Sequence, residues 1–221
     1  IYVLCLLYFK ETKLQKSSLD IKNLTSNLKK VTSNHIIIGS IITGGISYSI
    51  MTIFNVMGPF IIQAQLHYSA AQYGHYALIL GCFWLMGNMA SRKIQQHIAI
   101  YPLYFYSICT LTILCIVYAL TLPLLPFTLT TVILPAITIY IVGGLLQSLR
   151  LSITLSVYPD LAGTVTAISG MTPMIITAFL GWVASFFSTH TQIPLFDLYL
   201  GCSVCMLLLC FFLIGRKTPK V

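Results

Sequence analysis

The sequence predicts an all-α transmembrane protein whose chain crosses a lipid bilayer six times. Of its 221 residues, 57% are hydrophobic and 7% are charged, whereas charged residues make up about a quarter of a typical soluble domain. The apolar residues form long runs, and a helix needs about 20 such residues to cross the hydrocarbon core. The runs do not alternate as barrel strands do, and in lipid a helix satisfies its own backbone hydrogen bonds.

Four segments follow one another along the chain. Residues 1–9 are apolar but too few to cross a bilayer, so we expect them to be the end of a preceding transmembrane helix of a longer protein. Residues 10–33 are the only long hydrophilic stretch and predict a cytoplasmic linker, residues 34–215 hold the six-helix bundle, and residues 216–221 form a cytoplasmic tail. The predicted spans are residues 35–62, 73–90, 98–122, 128–149, 161–187 and 194–214.

The positions of the basic residues predict the orientation. Lys and Arg collect in short cytoplasmic loops, and the six-span arrangement places all twelve of them on one side of the membrane. Both ends of the chain are then cytoplasmic, and we expect the bacterial inner membrane as the location and its lipid bilayer as the surroundings. The same clustering argues against nucleic acid as a partner, because a nucleic-acid-binding face needs basic residues spread over a folded surface.

The sequence contains no pattern typical of an enzyme or a metal site. Six of its seven cysteines lie within apolar runs, where a thiol behaves as a small hydrophobic group. Cys202 and Cys205 form a CxxC pair, but no second pair completes a zinc site. His67, His75 and His190 lie near the outer loops without a carboxylate or thiol beside them. We therefore expect no cofactor, no metal and no catalytic activity.

Charged residues are scarce within the spans. The acidic residues Glu11, Asp20, Asp160 and Asp197 all lie outside the middle of a span, so the sequence offers no obvious carboxylate for proton or sodium coupling. Arg150 is the only basic residue in an otherwise apolar span, and a position near the cytoplasmic end would let it snorkel to the interface. Asp160 can cap the fifth span. Alternatively, it can pair with Arg150 across the short connection and act as a gate.

Polar amides and large side chains within the spans predict either packing between helices or a substrate cavity. An amide in hydrocarbon is costly unless it faces another helix or a water-filled path. Both interpretations, helix packing and a substrate cavity, stay open. Glycines and prolines such as Gly58-Pro59, Gly143-Gly144 and Pro173 predict close helix contacts and bends. The candidate residues that would line a cavity for a small amphipathic compound, apolar or cationic, are Tyr48, Asn55, Gln63, Tyr76, Trp84, Gln147, Met171 and Met174.

The order of segments resembles the C-terminal half of a twelve-helix transporter of the major facilitator superfamily. Two stretches narrow the resemblance to the Bcr/CflA drug-resistance group. Gly58-Pro59-Phe60, followed by Tyr68-Ser69 and Tyr73-Gly74, is similar to the seventh helix and the start of the eighth in that group. Residues 158–167 (YPDLAGTVTA), with Gly170 after them, are similar to its tenth-to-eleventh junction.

The resemblance implies a six-helix C-terminal bundle and proton-coupled export of drugs or small metabolites. It also implies three kinds of partner, namely an N-terminal six-helix half, protons, and a small amphipathic substrate. The coupling acids of the family belong to that N-terminal half. Two alternatives remain open, an inactive truncated remnant or membrane assembly subunit, and a transporter of another solute such as a sugar, an amino acid or a siderophore.

Overall fold

The structure is a computed structural model that describes residues 21–214, apart from the side chains of residues 21–24, 159, 213 and 214. The predicted end of a preceding helix (1–9), the first part of the linker and the predicted tail (216–221) lie outside the described residues. Within residues 21–214 all regular secondary structure is helical, without strands. The helices are α1 (Ile21–Thr32), α2 (His35–Pro59), α3 (Ala70–Ile94), α4 (Ile100–Thr121), α5 (Leu129–Val157), α6 (Ala162–Ala184) and α7 (Ile193–Leu209).

Four short helical turns connect or extend these helices. A π-helical turn continues α2 over Phe60–Gln65, and another continues α7 over Cys210–Ile214. Two 3₁₀ turns follow α4 and α5, at Leu122–Leu124 and Pro159–Leu161. Each of the six predicted spans therefore corresponds to one helix of the described chain.

Five helices are long and apolar enough to cross a membrane. They are His35–Gln65 with its π turn, Ile100–Leu124, Leu129–Val157, Ala162–Ala184 and Ile193–Phe212. This agrees with the predicted all-α membrane fold. Helix α3 has the length, with 25 residues, but polar residues such as Gln72, His75 and Asn88 lower its hydropathy below that of the other five. Its crossing of the membrane stays a prediction from the sequence.

Polar side chains fix where the helices begin. The Asn34 carboxamide oxygen accepts hydrogen bonds from the backbone N–H groups of Ile36 (3.0 Å) and Ile37 (3.4 Å) at the start of α2. At the start of α3, the Gln72 N–H donates to Ser69 Oγ (3.2 Å) and the Ser69 N–H donates to Gln72 Oε1 (2.9 Å). This reciprocal pair is a capping box. It starts α3 at Ala70, three residues before the predicted span.

Helix α2 lies at the centre of the bundle and is buried along most of its length. It packs against α5, α6 and α7, while α3 lies along α5 and α4 packs against α5 and α7. Glycines permit the closest approach, as predicted for Gly143-Gly144. A Cβ on Gly144 would collide with the backbone carbonyl of Trp84, and a Cβ on Gly87 with that of Ile141. The backbones of α3 and α5 are therefore in direct contact.

Part of the predicted linker is a docked helix. In α1, Val31 is fully buried and packs in a cluster with Ile37 and Val165, while Leu28 is partly buried against the same cluster. Lys30 Nζ lies 5.3 Å from the ring centroid of Tyr158, a distance typical of a cation–π contact. Leu28 and Val31 are three residues apart and share one face of a helix, which explains why this otherwise polar stretch packs against the bundle.

Candidate functional site

Five aromatic side chains fill the space between α2 and α3, and we call them the aromatic cluster. Because α3 lies along α5 rather than along α2, large rings bridge the remaining gap. The ring centroids are 5.8 Å apart for Trp84 and Tyr140, 6.0 Å for Phe54 and Tyr140, 6.3 Å for Tyr48 and Trp84, and 6.4 Å for Phe54 and Tyr73. These separations are typical of favourable aromatic pairs.

Trp84 owes its position to a glycine on the facing helix. A Cβ on Gly143 would lie 2.6 Å from Cζ3 of the indole ring, so any larger residue would displace the ring. The Trp84 backbone is held as well, because Asn88 Nδ2 donates a 3.0 Å hydrogen bond to the Trp84 carbonyl. The indole is partly buried. It therefore offers a rigid apolar face at the edge of the cluster.

The N-terminal end of α3 lies next to the proline and the π turn that end α2. Pro59 ends the regular part of α2 and the π turn Phe60–Gln65 follows. A proline removes a backbone donor, and a π turn is a common cause of helix bending. Gly58 lies against the rings of Phe54 and Tyr73, where a Cβ would come within 3.1 and 3.2 Å. The predicted irregularity at Gly58-Pro59 thus borders the aromatic cluster directly.

Arg150 is the buried charge of the bundle, with 5% of its surface exposed. Its aliphatic stem rests on Gly44 of α2, and its Nη1 donates a 3.2 Å hydrogen bond to the Ser169 carbonyl of α6. Helix α5 continues to Val157, which leaves Arg150 nearly two turns inside the helix. The side chain faces the bundle, in contrast to the snorkelling expected from the sequence. Asp160 is exposed, and its pairing with Arg150 stays a prediction.

The helices that contact Arg150 carry buried polar groups that are not all paired. Within the described chain, Arg150 Nε and the hydroxyls of Ser40, Ser47 and Ser169 are buried without a hydrogen-bond partner. A buried cation is costly in a membrane unless an anion or enough acceptors surround it. A guanidinium with a free N–H can bind a carboxylate or a phosphate. The buried guanidinium therefore has unused capacity to bind an acceptor in the interior of the bundle.

A second hydrogen bond ties α4 into the same region. The hydroxyls of Thr43 and Tyr104 lie 2.7 Å apart, and Thr43 Oγ1 also donates to the Gly39 carbonyl at 2.6 Å. Tyr104 is 1% exposed. Thr43 precedes Gly44 on α2, so this pair fixes the helix segment on which the Arg150 stem rests.

The structure brings together only some of the predicted site residues. Tyr48 and Trp84 are in contact within the aromatic cluster, whereas Gln147 lies on α5 one turn beyond Gly143 and lines a different cavity, together with Arg92 of α3. Tyr76 instead packs against Tyr68, with ring centroids 6.2 Å apart. The remaining candidates lie apart from the cluster: Gln63 is half-buried in the π turn, and Asn55, Met171 and Met174 are exposed.

Sequence reasoning missed Tyr140, which contacts two rings of the cluster and donates to the Met51 carbonyl at 3.4 Å. A signal was present, because Tyr140, Gly143, Gly144 and Gln147 are spaced i, i+3, i+4 and i+7 and so share one helix face. A tyrosine beside two glycines on one face indicates a close crossing with a large ring next to it.

Comparisons with protein-family models, with curated proteins and with solved structures each give no match. The family resemblance seen in the sequence therefore stays a prediction. The proposed function depends on the aromatic cluster and on Arg150.

Proposed function

We propose that this chain is the C-terminal half of a secondary active transporter that exports drugs or small metabolites in exchange for protons by alternating access. The observation that carries the proposal is the aromatic cluster between α2 and α3, with Tyr48 and Trp84 at its edge. Rigid aromatic faces bind flat apolar compounds and, through cation–π contacts, amphipathic cations.

The open faces of the bundle support a partner half. On α2, Tyr48, Thr52, Asn55 and Pro59 are less buried than most of the helix and follow one another at i, i+4, i+7 and i+11. On α6, small exposed residues occupy one face, and Cβ atoms on Gly163 and Gly170 would meet nothing within 4 Å. Small residues let a second set of helices approach closely, and rocking of two such halves around a central site is a common transport mechanism.

We assign proton coupling to the partner half. Of the two carboxylates in the described part, Asp160 is exposed in the 3₁₀ turn before α6. Asp197 is exposed in the second turn of α7, where it lines a cavity of about 360 Å³ together with residues of α2 and α6. Carboxylates that carry protons across membranes lie inside the bundle or face a water-filled cavity. Because neither residue lies midway along a helix, the proposal places the coupling Asp or Glu in the other half.

The buried Arg150 favours a second candidate, the transport of a small organic anion such as an amino acid or a siderophore. A cation within a region of low dielectric constant attracts carboxylates and repels other cations. Gly44, on which Arg150 rests, precedes Tyr48 of the aromatic cluster by one helical turn. An anion bound at the cluster would therefore be drawn towards Arg150.

The first test determines the genomic DNA sequence upstream of the codon for Ile1. A Met-initiated reading frame with six more spans and an intramembrane acid would support the proposal. A stop codon directly upstream, with no separate gene for another six-helix half, would favour the remnant or assembly-subunit alternative instead.

The second test measures efflux from bacteria that lack their own pumps and express the complete frame. We expect pH-dependent exit of a cationic dye, which Trp84→Ala abolishes and Trp182→Ala preserves, because Trp182 lies 59% exposed on α6 away from the cluster. Exit of an anionic dye that is lost in Arg150→Met would identify the second candidate. No exit of either dye, in protein that reaches the membrane, would refute both.

A further inference from the structure

A cavity of about 250 Å³ opens between the C-terminal halves of α3 and α5. It begins just beyond the backbone contact of Gly87 with Ile141, which holds the two helices together. Polar residues on both helices face it, namely Asn88 and Arg92 on α3 and Gln147 and Ser148 on α5. The positions of the basic residues predict this end of both helices to be cytoplasmic.

The polar lining combines a cation, a hydroxyl and an unused acceptor. Arg92 is exposed and positively charged, and the residues that line the cavity include no carboxylate. The carboxamide oxygen of Gln147 is buried without a hydrogen-bond partner in the described part of the chain. Such a lining fits a ligand that carries a negative charge and, next to it, a hydrogen-bond donor.

A stripe of exposed apolar side chains leads from this cavity along α3. Leu78, Leu85 and Met89 are 66%, 58% and 63% exposed. With Arg92 they are spaced i, i+7, i+11 and i+14, so they share one face of the helix. The twelve residues from Leu78 to Met89 are joined by eleven steps of 1.5 Å and extend about 16 Å along the axis. That length is about half of the 30 Å hydrocarbon core, which is the depth of one leaflet.

We propose that this cavity binds the headgroup of an anionic phospholipid of the cytoplasmic leaflet, with phosphatidylglycerol as the probe that fits best. The phosphate would lie against Arg92 and Ser148, and a glycerol hydroxyl of the headgroup would donate to Gln147 Oε1. One acyl chain would lie along the stripe of Leu78, Leu85 and Met89. Basic pockets between helices on the cytoplasmic side are typical sites for anionic headgroups.

Trp84 provides a local reporter, because it lies on α3 next to Leu85 and is one of only two tryptophans in the chain. In a Trp182→Phe background it becomes the only one. The protein would be reconstituted in phosphatidylcholine vesicles, and brominated phosphatidylglycerol or brominated phosphatidylcholine would be added at equal mole fractions. We expect the anionic lipid to quench Trp84 fluorescence more strongly, because it occupies the site preferentially.

The variants test the assignment of each contact. Arg92→Gln should weaken the relative affinity for phosphatidylglycerol about fivefold, the effect of one basic residue near an anionic headgroup. Lys93→Gln is the matched control, since Lys93 is exposed and does not line the cavity, and it should leave the affinity unchanged. Arg92→Lys keeps the charge, and its affinity for phosphatidylglycerol should stay within about twofold of the wild-type value. This variant separates loss of binding from loss of folding. Gln147→Leu should weaken the binding of phosphatidylglycerol. It should not change the binding of phosphatidylmethanol, because that headgroup has no hydroxyl to donate to Gln147.

Three results would overturn the proposal. Equal quenching by both brominated lipids would show that the stripe does not select anionic lipid. Equal effects of Arg92→Gln and Lys93→Gln would mean that only diffuse surface charge acts. Quenching by neither lipid would show that another protein segment covers this face of α3.

Discussion

Gly44→Ala tests the contact between α2 and the buried arginine most directly. A Cβ at position 44 would lie less than 3.0 Å from three atoms of Arg150, its Cγ, Cδ and Nε, with Cγ at 2.9 Å. The arginine is 5% exposed and cannot swing into solvent. It must either leave its hydrogen bond to the Ser169 carbonyl or push α2 away from α5.

The expected change in the free energy of unfolding of Gly44→Ala is the sum of three contributions. Overpacking a buried site costs about 1–3 kcal/mol, and loss of the hydrogen bond from Arg150 Nη1 costs about 1 kcal/mol in a membrane protein. The higher helix propensity of alanine returns about 1 kcal/mol. The free energy of unfolding should therefore fall by about 1–3 kcal/mol, measured by far-ultraviolet circular dichroism during unfolding of the protein in mixed micelles with increasing dodecyl sulfate.

Two companion variants make this prediction decisive. Gly74→Ala on α3 is the matched control, because a Cβ there meets nothing within 4 Å, and it should raise the free energy of unfolding by up to about 1 kcal/mol. In an Arg150→Ala background the obstacle is gone, so Gly44→Ala should become neutral or stabilising. If Gly44→Ala has the same effect in both backgrounds within about 0.5 kcal/mol, the two residues are not coupled and the reasoning fails.

Two other substitutions are expected to change stability in the same assay. Gly144→Ala should cost about 3 kcal/mol, because its Cβ collides with the Trp84 backbone, which cannot rotate away; a loss of less than about 1 kcal/mol would contradict the direct backbone contact between α3 and α5. Tyr104→Phe should cost about 0.6–1 kcal/mol through loss of its hydrogen bond with Thr43, whereas Tyr106→Phe, on a residue that is 61% exposed, should be neutral.

Much of the fold could be predicted from the sequence because the apolar runs are long. The predicted span 35–62 corresponds to α2 and its π turn, His35–Gln65, and the span 194–214 to α7 and its π turn. The errors lie where polar residues are helical. Helix α5 continues to Val157 instead of ending at residue 149, because Ser and Arg lower hydropathy without ending a helix. The docking of α1 was missed since two apolar residues, Leu28 and Val31, suffice to anchor it.

The site was harder to predict because it depends on residues far apart in the chain. Arg150 is buried because Gly44, more than a hundred positions earlier, leaves room for its stem. Nothing in the local sequence of α5 distinguishes this arrangement from snorkelling. Met171 and Met174 were chosen by residue type; both lie exposed on α6, at 64% and 66%, and their place in a substrate cavity stays a prediction. Hydropathy cannot tell the two faces of a membrane helix apart, since lipid and protein interior are both apolar.

The sizes of the exposed residues distinguish two faces that hydropathy treats alike. In the N-terminal half of α6 the exposed positions include Gly163, Ala167 and Gly170, and a glycine in a helix costs about 1 kcal/mol relative to alanine. Glycines that met only lipid would weaken the helix without any gain in packing, so this face fits a second set of helices. On α3 the open glycines, Gly74 and Gly81, lie nearer its N-terminus. The part of α3 beyond them exposes Leu85 and Met89 next to Arg92, which suits an acyl chain with its headgroup at Arg92. The proposed partner half and the proposed lipid therefore occupy different faces, and each can be tested without the other.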